Sequence, residues 1–354
     1  MNAVNPADDA FGIVECGEGA ATRVDGGFVS GIEPLRLKPI FQPRVWGGDR
    51  LDPASPAPVG EAWVVYEGNH VIGGAWAGRT LGDVAGELGA ELLGATAVEQ
   101  TGHGFPLLIK LLHSREWLSV QVHPNDEQAA RLEGLNTVGK TEAWHVLEAD
   151  PGARVIFGLN GEHSTAELGR MAREGTFEDV LRYVPVERGD TLFTPAGCVH
   201  AIGPGLLIYE VQQTSDITYR LYDWNRPVTA GRALHLDKGL QVIGACESES
   251  TVCGQTPAGD DAAVLADCAY FRLEQVRGSD NPVRMDTGGQ SFHALTVVEG
   301  EVEVQTRASR LQIGPLETIL IPAALGAYDL HPLEPFQVLL SRAPGSADDR
   351  LSKP

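Results

Sequence analysis

The sequence predicts a mainly β protein, built as two related β-barrels of the jelly-roll kind with a small helical portion. The 42 glycines and 22 prolines among 354 residues indicate many turns. Short β-branched and aromatic runs are separated by turn residues, and after residue 258 the chain consists almost entirely of such runs. The segment 189–197 is also echoed by 316–324, with Thr-x-x-x-Pro-Ala in both. The same spacing sets Ala327 opposite His200, so only the first barrel keeps a histidine there.

The individual elements follow from periodicity and capping residues. Ser164 with Glu167 three residues later forms a capping box, and Asn125 is a good N-cap. Helical spacing predicts helices at 81–100, 125–132, 164–173, 177–183 and 232–243. Alternating or β-branched runs predict strands at 34–41, 118–123, 142–147, 154–158, 191–194, 206–212, 271–276, 294–298, 302–305, 318–321 and 336–340.

These elements predict a division of the chain into two barrels with flanking segments. Residues 1–31 are rich in Gly, Ala and Asp and are predicted to be a flexible extension. The first, metal-binding barrel with its inserted helices is expected at 32–245, followed by a linker at 246–260. The second barrel, without metal ligands, is expected at 261–345, and 346–354 is a tail.

Composition excludes several classes of protein. Asp and Glu number 48 against 27 Lys and Arg, and the net charge of −21 argues against nucleic-acid binding and against docking to an anionic membrane. No apolar stretch is long enough to span a membrane, and the N-terminus lacks the basic residues of a secretory signal. The five cysteines are scattered without a CxxC pair, which argues against a disulfide framework and predicts a cytoplasmic protein.

A candidate metal site can be assembled from four side chains. Gln121 and His123 lie two apart on a predicted strand and therefore project from one face. Glu142 lies on the next predicted strand, and His200 follows a Pro-Ala-Gly turn. Two imidazoles, a carboxylate and an amide oxygen suit Zn²⁺ or another divalent first-row metal. The alternative is that both histidines are ordinary core or surface residues, and spacing alone does not decide between the two.

The same residues fall within segments that resemble the type I mannose-6-phosphate isomerases, in particular their short bacterial branch. The segments follow the family order and cover roughly residues 35 to 240. They are RVWGG (44–48), GEAW (60–63), FPLLIKLL (105–112), QVHPND (121–126), GKTEAW (139–144), TPAGCVHA (194–201) and EVQQTSDITYRLYD (210–223).

The resemblance implies a fold of two cupin barrels, one zinc ion per chain, and interconversion of mannose 6-phosphate and fructose 6-phosphate in carbohydrate metabolism. It places the metal ligands at Gln121, His123, Glu142 and His200 and the catalytic residues at Arg220, Lys140 and Asp216. The chain departs from many family members by having Thr141 in place of Pro and Gly139 in place of His. Because the short branch can have Lys at the position of Gln121, that ligand is the least secure of the four.

The chemistry assigns a role to each catalytic candidate. Aldose–ketose isomerisation moves a proton between C2 and C1, most simply through a cis-enediol, and requires carbonyl polarisation, acid–base groups and a grip on the phosphate. Lys140 shares a strand face with Glu142, so a metal charge is expected to lower its pKa and fit it for acid–base work. Arg220 can bind phosphate or the enediolate, and an ion pair with Asp216 is the structural alternative. A small basic patch around Lys140 and Arg220 is expected.

Two other functions remain open from the residues. His123, Glu142 and His200 also match the facial triad of an iron(II) oxygenase, which has no general need for Lys140 and Arg220. A non-catalytic sugar-binding cupin is the third possibility. Metal analysis separates the first two, since stoichiometric iron would favour an oxygenase. The expected partner is a small sugar phosphate, with no nucleic acid and no membrane, and the oligomeric state is open.

Overall fold

The computed structural model describes residues 32–101, 104–226, 232–244, 246 and 262–344. The predicted N-terminal extension and C-terminal tail lie outside the described residues, and so does the predicted linker apart from Cys246. Within the described ranges, none of the helices is long and apolar enough to cross a membrane.

The first barrel is formed by two antiparallel sheets. Its strands are β2 (Ile40–Gly48), β3 (Val59–Val65), β5 (Leu107–Ser114), β6 (Val120–Val122), β7 (Glu142–Ala149), β8 (Arg154–Leu159), β9 (Leu181–Pro185), β10 (Thr191–Thr194), β11 (His200–Ile202), β12 (Leu206–Gln213) and β13 (Tyr219–Tyr222). Six of them form one sheet in the order β10-β7-β12-β5-β3-β2, and the other five form a sheet in the order β13-β6-β11-β8-β9.

The second barrel repeats this arrangement. Its strands are β14 (Ala263–Asp267), β15 (Arg272–Gly278), β16 (Val283–Asp286), β17 (His293–Glu299), β18 (Val302–Gln305), β19 (Arg310–Ile313), β20 (Thr318–Ile321), β21 (Ala327–Pro332) and β22 (Phe336–Arg342), joined by β1 (Leu35–Leu37) and β4 (Val71–Ile72). The order β10-β7-β12-β5 recurs as β20-β17-β22-β15, and β6-β11-β8-β9 recurs as β16-β21-β18-β19. The predicted mainly β class with two related barrels is therefore confirmed.

The N-terminal strands cross between the two halves of the chain. Leu35 of β1 pairs with Leu320 of β20, and β4 pairs with β1 on its other side. Both strands thus extend a sheet of the second barrel, although their sequence lies within the range expected for the first barrel. The predicted boundaries near residues 245 and 261 stay predictions.

The helices predicted at 125–132 and 164–173 are found within one residue of those bounds, whereas the other predicted helices are shorter or absent. The observed helices are α1 (Leu81–Leu88), α2 (Ala90–Leu93), α3 (Ala95–Thr101), α4 (Asp126–Glu133), α5 (Thr165–Glu174) and α6 (Leu236–Val242). The single helix predicted at 81–100 is wrong, because Gly89 and Gly94, with φ values of 50° and 86°, break it into three. The helix predicted at 177–183 is also wrong: a 3₁₀ turn over Phe177–Val180 leads into β9, which pairs with β8. The predicted caps Asn125 and Ser164 are confirmed, each in a capping box.

The buried apolar residues form four clusters. One fills each barrel, one lies between the two barrels, and one lies where the helices pack on the five-stranded sheet. Trp144 and Phe157 are fully buried in the cluster of the first barrel, and Val297 and Leu330 are fully buried in that of the second. A larger cluster joins residues from facing sheets of both barrels, including Tyr209 and Leu339. The helices α5 and α6 pack on the outer face of the five-stranded sheet. This packing fixes both sheets of the first barrel on either side of the residues predicted to hold a metal.

Candidate active site

Three neighbouring strands of the five-stranded sheet bring four of the predicted residues together. Gln121 lies in the middle of β6, opposite His200 of β11 on one side and opposite Arg220 of β13 on the other. His123 follows β6 directly, two residues after Gln121 and on the same face. Nε2 of Gln121 is 3.2 Å from Nε2 of His200, and the ring centroids of His123 and His200 are 4.8 Å apart.

Glu142 reaches this group from the opposite sheet. It is the first residue of β7 and is completely buried. Its Oε2 lies 3.5 Å from Nε2 of His123, and its Oε1 lies 3.4 Å from Nε2 of His200. One ligand atom from each of the three residues lies within 4.8 Å of the others. Two imidazoles and one carboxylate converging in this way are suited to hold a divalent metal ion.

Both imidazoles are held in the neutral form that a metal ligand requires. Nδ1 of His123 is 2.8 Å from the carbonyl oxygen of Ile217, and Nδ1 of His200 is 2.9 Å from that of Cys198. Each Nδ1–H therefore donates outward, which leaves each Nε2 as an acceptor facing Glu142; Nε2 of His123 has no hydrogen-bond partner among the described residues, and Nε2 of His200 is 3.2 Å from the amide nitrogen of Gln121. Burial lowers the pKa of His200 to about 4 and holds the pKa of His123 well below its usual value, with the charge of Lys140 adding to both effects.

The unpaired polar atoms of the cluster fit a cation. Nε2 of His123 and both carboxylate oxygens of Glu142 are buried and make no hydrogen bond among the described residues, although Nζ of Lys140 lies 3.1 Å from Oε2. A buried acceptor without a partner costs about 1–3 kcal/mol, and a cation bound among these atoms would remove that cost. Gln121 borders the cluster and offers an amide oxygen, so its role as a fourth ligand stays a prediction.

Lys140 lies beside the cluster as a buried cation. Burial lowers its pKa, but the carboxylates of Glu142, Glu210 and Asp216 have the larger combined effect, so the pKa is raised above its usual value. The sequence predicted a lowered pKa for Lys140 beside a bound metal ion. The protein groups alone raise that pKa instead. In the chain by itself Lys140 is thus an ammonium group aimed at Glu142.

Sequence reasoning missed a second buried ion pair next to the first. Lys110 of β5 and Glu210 of β12 are directly opposite each other, and their Nζ and Oε1 atoms are 3.2 Å apart. The indole Nε1–H of Trp144 donates to Oε2 of Glu210 at 3.0 Å, and the same indole packs edge-on against the ring of His200. The available signal was Lys110 itself, the one charged residue in the apolar run 105–112.

The structural alternative for Arg220 was an ion pair with Asp216, and the structure does not bring these two residues together. Nη1 of Arg220 donates to the carbonyl oxygen of Ala233 at 2.9 Å, and its Nε is buried without a hydrogen-bond partner among the described residues. Asp216 is exposed, and its negative charge helps to raise the pKa of Lys140. The nearby carboxylate that does bind a guanidinium is Asp223, whose Oδ2 lies 2.6 Å from Nε of Arg232.

The expectation of no disulfide framework needs a correction behind this site. Cys198 and Cys246 form a disulfide, with Cα atoms 4.8 Å apart. They are distant in sequence, but the turn before His200 packs against the segment after α6, where the N–H of Gly244 donates to the carbonyl of Gly197 at 3.0 Å. Since His200 donates to the carbonyl of Cys198, the crosslink lies directly behind a predicted metal ligand.

Comparison with known proteins gives matches over most of the chain. Residues 35–142 match the family model described as "Phosphomannose isomerase type I, catalytic domain". A mannose-6-phosphate isomerase of Bacillus subtilis (strain 168) is 36% identical over 311 residues, which are 84% of this chain and 96% of that protein. One of Streptococcus mutans is 32% identical over 309 residues, with 84% and 94% covered.

Solved structures show the same fold. A crystal structure of the mannose 6-phosphate isomerase from Bacillus subtilis superposes with a TM-score of 0.74 at 26% identity and covers 87% of this chain and 99% of that one. A structure described as zinc-bound mannose 6-phosphate isomerase superposes with a TM-score of 0.70 at 15% identity, covering 88% and 100%, which is a likeness of fold alone. The sequence relatives, matched over nearly their whole length, show that this chain belongs to the type I phosphomannose isomerase family.

Proposed function

We propose that the protein is a zinc-dependent isomerase that interconverts mannose 6-phosphate and fructose 6-phosphate through a cis-enediol. The observation that carries this proposal is the convergence of His123, Glu142 and His200 beside the buried ammonium of Lys140. It is supported by relatives that are named mannose-6-phosphate isomerases. One zinc ion per chain, held by these three residues and Gln121, supplies Lewis-acid polarisation of the sugar oxygens when bound.

The protein's own groups account for the charge that develops during the reaction. Lys140 is protonated in the chain alone and is therefore placed to donate a hydrogen bond or a proton to an oxygen of the enediolate. Lys110 lies in the six-stranded sheet, 3.2 Å from Glu210 on the neighbouring strand, and adds a second fixed cation. Because both ion pairs are buried, their fields act at low dielectric on any group that enters the site.

Arg220 is the proposed binding group for the phosphate or the enediolate. Its Nε has no hydrogen-bond partner among the described residues, so the guanidinium retains donors for an anion. Asp216 is proposed to act through its charge on Lys140. The site has as many carboxylates as cationic side chains: Glu142, Glu210 and Asp216 against Lys110, Lys140 and Arg220. The predicted basic patch therefore depends on the charge of the bound metal.

The iron(II) oxygenase is not favoured, because its triad gives no function to the two buried lysines of the site. We further propose a cytoplasmic location with a small sugar phosphate as the partner, as the intermediary metabolism of such compounds suggests. Disulfides are uncommon in a reducing compartment. Thiol labelling of protein isolated from the cytoplasm tests directly whether Cys198 and Cys246 are joined there.

A coupled assay tests the proposed activity. Purified protein is incubated with mannose 6-phosphate, and fructose 6-phosphate is detected before chelation, after chelation, and after addition of one equivalent of zinc or iron(II). Turnover that disappears on chelation and returns with zinc is expected. A folded, zinc-loaded sample without turnover would refute the proposed function.

A further inference from the structure

The loop at residues 134–141, between α4 and β7, carries Lys140 to the metal cluster; its first part is exposed, and its last residues, 139–141, are buried. Leu135 in this loop is 93% exposed. Gly139 lies so close to the start of α4 that a Cβ there would be 2.5 Å from the carbonyl carbon of Asn125. The hydrogen bonds that hold this loop against α4 therefore help to fix the position of Lys140.

The N–H of Lys140 donates to the carbonyl of Pro124 at 2.9 Å, and the remaining hydrogen bonds around it meet at Asp126. Its Oδ1 accepts from the backbone N–H of Gly139 at 2.7 Å and from Nε2 of Gln213 at 2.9 Å. Oε1 of Gln213 in turn accepts from the backbone N–H of Thr141 at 2.9 Å. The residues on both sides of Lys140 are thus tied, directly or through one amide, to a single carboxylate.

The other oxygen of that carboxylate is held from the second barrel. Tyr270, in the turn between β14 and β15, donates its hydroxyl to Oδ2 of Asp126 at 3.0 Å. The turn is itself closed, since the N–H of Cys268 donates to the carbonyl of Phe271 at 3.0 Å. Burial and the charge of Asp126 raise the pKa of Tyr270 to about 12, so the hydroxyl remains a donor at neutral pH.

We propose that Tyr270 is a positioning residue for the isomerase site, which fixes the loop of Lys140 by way of Asp126. This inference rests on the proposed function, because it takes Lys140 to act on the substrate. A displacement of about 1 Å at a reacting group can cost about a hundredfold in rate, so a partial loosening of the loop is enough to be measured. The second barrel then contributes to turnover without touching the sugar.

The variant Tyr270→Phe tests this proposal, because it keeps the ring and removes only the hydroxyl. On the zinc-loaded enzyme, kcat for mannose 6-phosphate should fall about tenfold while KM stays within about twofold. Zinc content should be unchanged, and amide hydrogen exchange in the peptide 134–141 should become faster. The double variant with Asp126→Asn should lose no more kcat than Asp126→Asn alone, since both changes act through one contact.

The matched control is Tyr209→Phe, which removes a different hydroxyl contact between the barrels. Tyr209 lies 2.8 Å from the Oγ of Ser341 and does not touch the loop. This variant should keep kcat within about twofold and leave exchange in 134–141 unchanged. An equal loss of kcat in both variants would show that general docking of the barrels is responsible and would overturn the proposal.

The proposal is also overturned if Tyr270→Phe leaves both kcat and exchange in 134–141 unchanged. The exchange measurement separates this failure from failure of the proposed function, because it needs no substrate. If the natural enzyme did not turn over mannose 6-phosphate, the proposed function would fall, while slower exchange in the natural chain than in Tyr270→Phe would still establish the contact.

Discussion

The buried pair of Lys110 and Glu210 makes a quantitative prediction about stability. Their side chains are 4% and 5% exposed, and the charged atoms are 3.2 Å apart. The variant Glu210→Gln removes the charge while leaving an oxygen that can accept from the indole of Trp144. The ammonium of Lys110 is then buried without its partner.

The size of the effect follows from that geometry. Two unit charges at this distance attract by about 5 kcal/mol at an effective dielectric constant of 20, and breaking a buried pair costs about 3–5 kcal/mol. The charge of Lys110 also interacts with the buried carboxylate of Glu61, which compensates part of the loss. We therefore expect the free energy of unfolding to fall by about 3 kcal/mol in Glu210→Gln.

Urea unfolding of the metal-free protein at pH 7 measures this loss. The double variant Lys110→Met/Glu210→Gln should recover most of it, to within about 1 kcal/mol of the natural chain, because no unpaired charge remains. The control is Glu148→Gln, whose partner Arg50 lies 2.7 Å away in a pair that is 52% and 54% exposed. That control should cost less than about 1 kcal/mol. Equal losses in Glu210→Gln and Glu148→Gln would refute the reasoning.

Three further predictions concern the metal, the loop and pH. His200→Ala should lose zinc and activity together, whereas Arg220→Ala should lose activity and keep zinc; near-normal turnover of Arg220→Ala would show that its assignment is wrong. Gly139→Ala should lower kcat and destabilise the protein by about 1–3 kcal/mol, measured by urea unfolding, because the new methyl group meets backbone atoms at 2.5–2.7 Å. His145 is buried with its pKa lowered to about 4, so the unfolded chain binds its proton first and stability falls as the pH drops from about 6.5 towards 4. In His145→Asn this slope should be smaller by about 1.4 kcal/mol per pH unit, and an unchanged slope would contradict the assignment.

Local patterns predicted the parts of the fold that depend on neighbours in sequence. The caps Asn125 and Ser164 satisfy nearby N–H groups, and the alternation of β6 places Gln121 and His123 on one face. The internal repeat predicted two barrels, because equivalent strands occupy equivalent places in both pairs of sheets. The prediction of one helix at 81–100 was wrong because it rested on helical spacing and gave too little weight to Gly89 and Gly94, which adopt positive φ.

Contacts between distant segments could not be predicted in the same way. The pairing of Lys110 with Glu210 is set by the register of β5 and β12, and the register depends on the packing of the whole sheet. The disulfide and the addition of β1 to the second barrel have the same origin. For the metal cluster, the face shared by Gln121 and His123 followed from spacing, whereas spacing alone did not decide whether Glu142 and His200 would converge on that face.

X-ray absorption at the zinc edge tests the central claim most directly, namely that one divalent cation is held by nitrogen and oxygen ligands beside Lys140. We predict about one zinc per chain, two imidazoles in its shell, only nitrogen and oxygen scatterers at about 2.0–2.2 Å, and loss of the metal in Glu142→Gln. A sulfur scatterer at about 2.3 Å, or full zinc occupancy in Glu142→Gln, would contradict that claim.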